Sequence, residues 1–331
     1  MSGSILQRIV GVGLLALFAL LPADPAAAGA PQRFVVFGDS LSDPGNAFVL
    51  VKSVTVPPFL TVPPFVAVPP FHSLIPDLPY ARGALHFSNG ATWVEQLSVL
   101  DQALPSTGPA LLHPVLFSNY AVGGAHAQPV GLFDLSTQVS RFLSDFDRQA
   151  PADALYIVFV GGNDLRDALD ALVQDPTFGT SLGIVGAAVT AIQSNLLTLH
   201  AAGARSFLVA NAPDVGLAPA VRLAGPAAQV AANFLSAQFN DGLEVLLQNL
   251  EFALGVGIVR LNVFEILNKI VATPKAFGLT DVEHPCIALD TIVQPFCANP
   301  GTFLFWDGIH PTVAGHRILA ERARAALNAT P

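Results

Sequence analysis

Charge is scarce in this chain. Fifteen Lys and Arg stand against 24 Asp and Glu in 331 residues, charged side chains make up 12%, and the formal net charge is −9. No basic stripe or Lys/Arg-rich run is present, which argues against a partner as rich in phosphate as a nucleic acid. Cysteine is limited to Cys286 and Cys297. They lack the paired Cys-x-x-Cys spacing of a structural zinc site, even if His284 is added. His72, His86, His113, His126, His200 and His316 likewise show no His-Glu-x-x-His or comparable metal spacing, and ordinary structural roles are expected of them. Beyond the first 28 residues no segment is expected to be a membrane span.

What the chain does have is apolar content, at 52% hydrophobic residues. That excludes a disordered or coiled-coil character. The length suits one large α/β domain or two small ones, and no composition break marks a second.

Residues 1–28 read as a secretory leader. Arg8 ends a short polar start, an apolar run follows from Ile9 to Leu21, and Ala26-Ala27-Ala28 offers small residues for cleavage. The run is only thirteen residues and contains two glycines, which is short for a membrane anchor. A secreted or periplasmic location is therefore expected. In that oxidising setting Cys286 and Cys297 are expected to pair, a small ring worth roughly 2–3 kcal/mol by loop entropy.

An insertion at about 54–72 carries three copies of Val-Pro-Pro-Phe with a period of six. Three short copies do not make a solenoid, and paired prolines forbid a regular helix or central strand. A low-complexity surface loop is the plain reading. The functional alternative is a greasy flap, with Phe59, Phe65 and Phe71 contacting lipid.

Elsewhere apolar runs of strand length alternate with helical spacings. Arg33–Phe37, Val115–Tyr120, Leu155–Val160, Ser206–Ala210 and Gly257–Leu261 read as strands. Helices are expected near Thr92–Leu97, Thr137–Gln149, Gly183–His200, Pro226–Phe252 and Val313–Leu327. That alternation implies right-handed crossovers and a parallel sheet covered on both faces.

Polar turns follow these strands, where open α/β sheets place their ligands. Ser40 sits in Gly38-Asp39-Ser40-Leu41-Ser42-Asp43, directly after the first strand. A glycine pair, Gly123-Gly124, follows the second, and Gly161-Gly162-Asn163-Asp164 the third. Asp307 and His310 lie three apart at the turn into the last helix. Ester hydrolysis by a serine needs a hydroxyl, a base, a group to hold the base and donors for the oxyanion, and each kind of group is here.

These blocks, in this order, resemble the GDSL esterases and lipases, also called SGNH hydrolases, over roughly Arg33 to Leu327, and in particular the secreted bacterial and plant-type branch. The resemblance implies a single domain over residues 31–331, a three-layer α/β/α sandwich with a mostly parallel, flavodoxin-like sheet of about five strands. It implies Ser40 as nucleophile, His310 as base and Asp307 as its orienting partner. The implied oxyanion hole consists of the Ser40 and Gly124 amides, with Gly123 as the weaker alternative to Gly124, and the Asn163 side chain. It implies a carboxylic ester hydrolase that needs no metal or cofactor. Carbohydrate deacetylation, phospholipid hydrolysis and acyl transfer fit the same groups, and an exported, non-catalytic lipid- or glycan-binding module is the more distant alternative.

One rival nucleophile exists. Gly179-Thr180-Ser181-Leu182-Gly183 satisfies the Gly-x-Ser-x-Gly elbow pattern. That elbow must follow a buried strand, whereas Ala168 to Asp175 is helix-like and polar, so Ser181 is expected to be structural.

Overall fold

The apolar runs become strands because they are buried on both faces. In this computed structural model, which describes residues 33–52, 86–103, 106–287 and 297–329, β1 (Arg33–Gly38), β2 (Ala154–Phe159), β3 (Ser206–Ala210) and β4 (Ile258–Leu261) form a parallel sheet in that spatial order. The expected leader and the Val-Pro-Pro-Phe segment with Phe59, Phe65 and Phe71 lie outside the described residues.

Alternate side chains on each strand feed two cores. Val35, Phe37, Tyr156, Val158, Phe207 and Val209 face one way. They pack against α3 (Leu135–Asp145), α5 (Gly179–Ala202) and α7 (Pro226–Leu254). Phe34, Val36, Leu155, Ile157 and Leu208 face the other way, against α2 (Trp93–Leu100) and α9 (Val313–Ala329). Helices on both faces give the expected three layers. Each large buried side chain is worth about 1.5–3 kcal/mol relative to exposure, so the central strands hold the fold together.

The segment expected as a second strand is strand-like only at its end. Val115 has φ 71°, which breaks the extended run. From Ser118 onward the chain lies along the free edge of β1: Val36 N–H donates to Ser118 O at 2.9 Å, Tyr120 N–H to Val36 O at 2.7 Å, and Val122 N–H to Gly38 O at 3.1 Å. With this edge segment counted, the spatial order is second, first, third, fourth, fifth, the flavodoxin-like layout. The sheet proper has four regular strands.

The remaining elements frame the carboxyl edge of the sheet. They are α1 (Asn46–Lys52), α4 (Gly162–Ala171), α6 (Pro219–Leu223), α8 (Val263–Ala272), and a short parallel pair, β5 (Asp281–Pro285) and β6 (Phe303–Phe305). Cys286 and Cys297 form the expected disulfide beside Trp306.

Candidate active site

Ser40 follows β1 in a tight turn. Ser42 N–H donates to Asp39 O at 3.0 Å and Leu41 N–H to Asp39 Oδ1 at 3.0 Å. Gly38 is required just before it, because a Cβ there would lie 2.5 Å from Phe159 O on β2. Gln138 of α3 clamps the strand end, accepting from Gly38 N–H at 2.9 Å and donating to Gly38 O at 2.8 Å. Ser42 accepts from Trp93 Nε1 at 3.1 Å. The serine turn is thus fixed from both helical layers.

Asp307 and His310 sit in the turn between β6 and α9. Asp307 Oδ1 accepts from the backbone N–H of Ile309 at 2.8 Å and of His310 at 2.7 Å. Its Oδ2 lies 2.7 Å from His310 Nδ1. A carboxylate only accepts, so Nδ1 carries the hydrogen and Nε2 presents its lone pair. Nε2 lies 2.8 Å from Ser40 Oγ. Phe87 backs the imidazole with ring centroids 5.4 Å apart. The three sequence-selected residues are brought together, all nearly buried.

Of the expected oxyanion donors, Asn163 lines the same cavity as Ser40, and the chain just before Gly123-Gly124 is tied to the serine turn by Val122 N–H donating to Gly38 O. Gly123 and Gly124 differ in their partners. Gly123 N–H is taken by Asp43 Oδ2 at 2.8 Å. The N–H groups of Ser40 and Gly124 donate to none of the described residues. Gly124 has φ 82°, a conformation that glycine adopts without strain. Asn163, on the first turn of α4, donates one amide hydrogen from Nδ2 to Ala125 O at 2.8 Å. That bond fixes the amide plane and leaves the second hydrogen for a ligand. Arg166 donates to Asn163 Oδ1 at 3.2 Å, which settles the orientation of the amide.

A cavity of about 230 Å³ opens beside Ser40, His310 and Asn163. Its walls are mostly apolar, with Leu169, Val221, Ile266, Leu267, Ile270 and Leu304 among them. Asp39 lies at its serine end, where burial pushes its carboxyl up to about 6. His316 also lines the cavity; burial drives it down to about 3, and its Nδ1 accepts from Trp93 N–H at 3.3 Å.

The rival Ser181 lies in the first turn of α5, buried, with its hydroxyl donating to Ala168 O at 2.7 Å. It follows no strand and joins two helices. Other residues at the site carried no functional expectation. Asp43 caps α1 through Gly45, Asn46 and Ala47 and also binds Gly123. His126, expected to be ordinary, lies in a network of carboxylates. Sequence spacing gives no signal for it, because its partners are far apart in the chain.

The family model described as GDSL-like Lipase/Acylhydrolase matches residues 34–323. A GDSL esterase/lipase of Arabidopsis thaliana is 29% identical over 176 residues, 52% of this chain, and the chain spans half the length of that relative. Phosphatidylcholine-sterol acyltransferase of Aeromonas hydrophila is 28% identical over 94% of this chain and 95% of its own. Among solved structures, the acetylxylan esterase Axe2 of Geobacillus stearothermophilus is 15% identical with a TM-score of 0.48, covering 90% of this chain and 95% of its own.

Proposed function

The chain belongs to the GDSL-like lipase/acylhydrolase family, and on that premise we propose that it is an exported serine esterase cleaving carboxylic acyl esters through a covalent acyl-enzyme. The observation that carries this reading is His310, set between Ser40 Oγ at 2.8 Å and Asp307 Oδ2 at 2.7 Å. Within hydrogen-bond reach on both sides, the imidazole takes the Ser40 proton at Nε2 as the oxygen attacks the ester carbonyl. Asp307 holds the ring and stabilises the imidazolium without itself taking the proton.

Negative charge then develops on the carbonyl oxygen. The Ser40 and Gly124 amides and the second Asn163 hydrogen receive it, donors fixed before the reaction begins. The ester C–O bond breaks, the alcohol leaves with the proton from His310, and Ser40 stays acylated. Water, deprotonated by the same imidazole, releases the acid and restores the serine. Export is supported by the disulfide, which persists in oxidising compartments.

The apolar cavity favours an acyl chain longer than acetyl. At about 230 Å³ it has room for several methylene groups beyond an acetyl, and its apolar walls favour burying them. A nitrophenyl ester series, run beside an acetylated xylo-oligosaccharide and a phospholipid, tests this. Rates per mole are expected to rise from acetyl to medium-chain esters; a preference for the acetylated sugar contradicts it. The Aeromonas relative supports a second fate for the acyl-enzyme, transfer to an acceptor alcohol, and adding such an alcohol to the same assay detects it.

A further inference from the structure

We infer that His126 is a positioning residue for the oxyanion hole, its imidazolium clamping the loop that bears Gly124 to the helix that bears Asn163. This inference rests on the assignment of Gly124 and Asn163 to that hole. His126 Nε2 donates to Asp167 Oδ2 on α4 at 2.9 Å. Its Nδ1 lies 3.6 Å from Asp134 Oδ1 at the start of α3. Asp134 also accepts from the backbone N–H of His126 at 2.9 Å and from Gly131. The ring therefore ties its own loop to α4, two residues beyond Gly124.

The same ring reaches Asn163 through a second path. Asp167 Oδ1 accepts from Arg166 Nη2 at 3.0 Å and Nε at 3.3 Å. Arg166 in turn holds Asn163 Oδ1. Loss of positive charge at His126 leaves Asp167 with Arg166 as its only cation in the network, and the remaining neutral N–H holds Asp167 less firmly. The guanidinium that orients the Asn163 amide is then less firmly held in turn. One imidazolium thus supports both donors, the amide of Gly124 along the chain and the Asn163 side chain across the helix.

The charge on His126 follows from its neighbours. Burial works against it, but Asp134 and Asp167 beside it, with Asp164 nearby, hold it up to about 9. The groups facing it are Asp134 at the N-cap of α3, Asp164, Asp167 and Arg166 on α4, and Asp39 in the serine turn. Asp134 and Asp167 are correspondingly held below the usual carboxylate range: burial opposes this, and it is outweighed by His126 together with the Gly131 N–H at Asp134 and with Arg166 at Asp167. The clamp is therefore fully charged at neutral pH and weakens as pH rises through about 9.

Removal of the ring does not remove the loop's other ties. Leu135 N–H still donates to His126 O at 3.0 Å. Ala127 and Gln128 N–H still bind Asp164 at 2.8 and 3.2 Å. Loss of catalysis is therefore separable from loss of fold.

The test is a double-mutant cycle on the full chain with a nitrophenyl ester. His126→Ala is expected to lower kcat about tenfold with KM unchanged, and Asp167→Asn, whose side chain is 41% exposed, to lower it less. Combined with Asn163→Ala, His126→Ala is expected to cost less than it does alone, because its Asn163 arm is already gone and only its Gly124 arm remains. The wild type is expected to lose kcat as pH passes about 9, and the His126→Ala profile to lack that step. His126→Lys, which keeps a cation, is expected to recover part of the loss. Multiplied losses in the double variant, or unchanged kcat in folded His126→Ala and Asp167→Asn proteins while Asn163→Ala is impaired, overturns the clamp. An unimpaired Asn163→Ala enzyme overturns the oxyanion assignment itself, and the clamp with it.

Discussion

Ser40 Oγ and His310 Nε2 lie 2.8 Å apart although 270 positions separate them in the chain. The contact joins the end of the first strand to the turn before the last helix, so most of the fold must be in place to make it. Ser40→Ala and His310→Ala are each expected to lower kcat by about 10⁶, as when a nucleophile or base is removed from such a unit. Ser181→Ala is expected to keep its activity, because that hydroxyl only bonds Ala168 O. Steady-state kinetics on a short ester, with circular dichroism to confirm folding, checks all three.

In the proposed mechanism Asn163 contributes through one hydrogen aimed at a charge that exists only during the reaction. Asn163→Ala is expected to lower kcat by about 10² to 10³ with little change in KM, the usual loss for one such donor. Asn163→Asp is expected to be as damaging, since a carboxylate there repels the developing charge. Equal losses in kcat and substrate affinity contradict a role confined to the transition state.

Much of this site was legible in the sequence, for physical reasons that differ from part to part. Phe34–Phe37 and Leu155–Val160 are uninterrupted apolar runs because both faces of their strands are covered, so a serine or asparagine just after them must lie at the sheet edge. The edge segment was only half legible. Val115–Tyr120 has strand composition, but Val115 adopts φ 71° and the pairing starts at Ser118. The strand Asp281–Pro285 was not legible, since Asp-Val-Glu-His-Pro has no alternation or apolar run and pairs with a three-residue partner. The difference between the Gly123 and Gly124 amides needed the Asp43 bond, and the His126 network needed a fold that brings Asp167 to it from 41 positions away.

His316 makes acid stability a local property. Burial holds its folded-state value near 3, below the ordinary 6.5, so the unfolded chain binds the proton more readily. Its contribution to stability is complete above about 6.5 and is lost as pH falls toward about 3, by up to roughly 1.4 kcal/mol per pH unit. Denaturant titrations between pH 7 and 4 are expected to show this slope, and His316→Gln to flatten it by about one proton. An unchanged slope in a folded variant refutes the assignment.

The disulfide closes a short loop beside Trp306, next to Asp307 in the chain. Cys286→Ser with Cys297→Ser is expected to cost about 2–3 kcal/mol of stability, from the loop entropy returned to the unfolded chain. Below the new melting temperature, activity is expected to persist, because Asp307 and His310 are held by their own backbone bonds and by Trp306 N–H donating to His310 O at 2.7 Å. Thermal melts and initial rates on the same samples check both statements.

The convergence of Ser40, His310 and Asp307 is tested most simply by covalent capture. After reaction with a fluorophosphonate, intact mass and peptide mapping are expected to find one adduct, on Ser40, appearing in step with loss of esterase activity. The His310→Ala protein is expected to label far more slowly. An adduct on Ser181, or full inactivation with Ser40 unmodified, contradicts the assignment of Ser40 as the nucleophile.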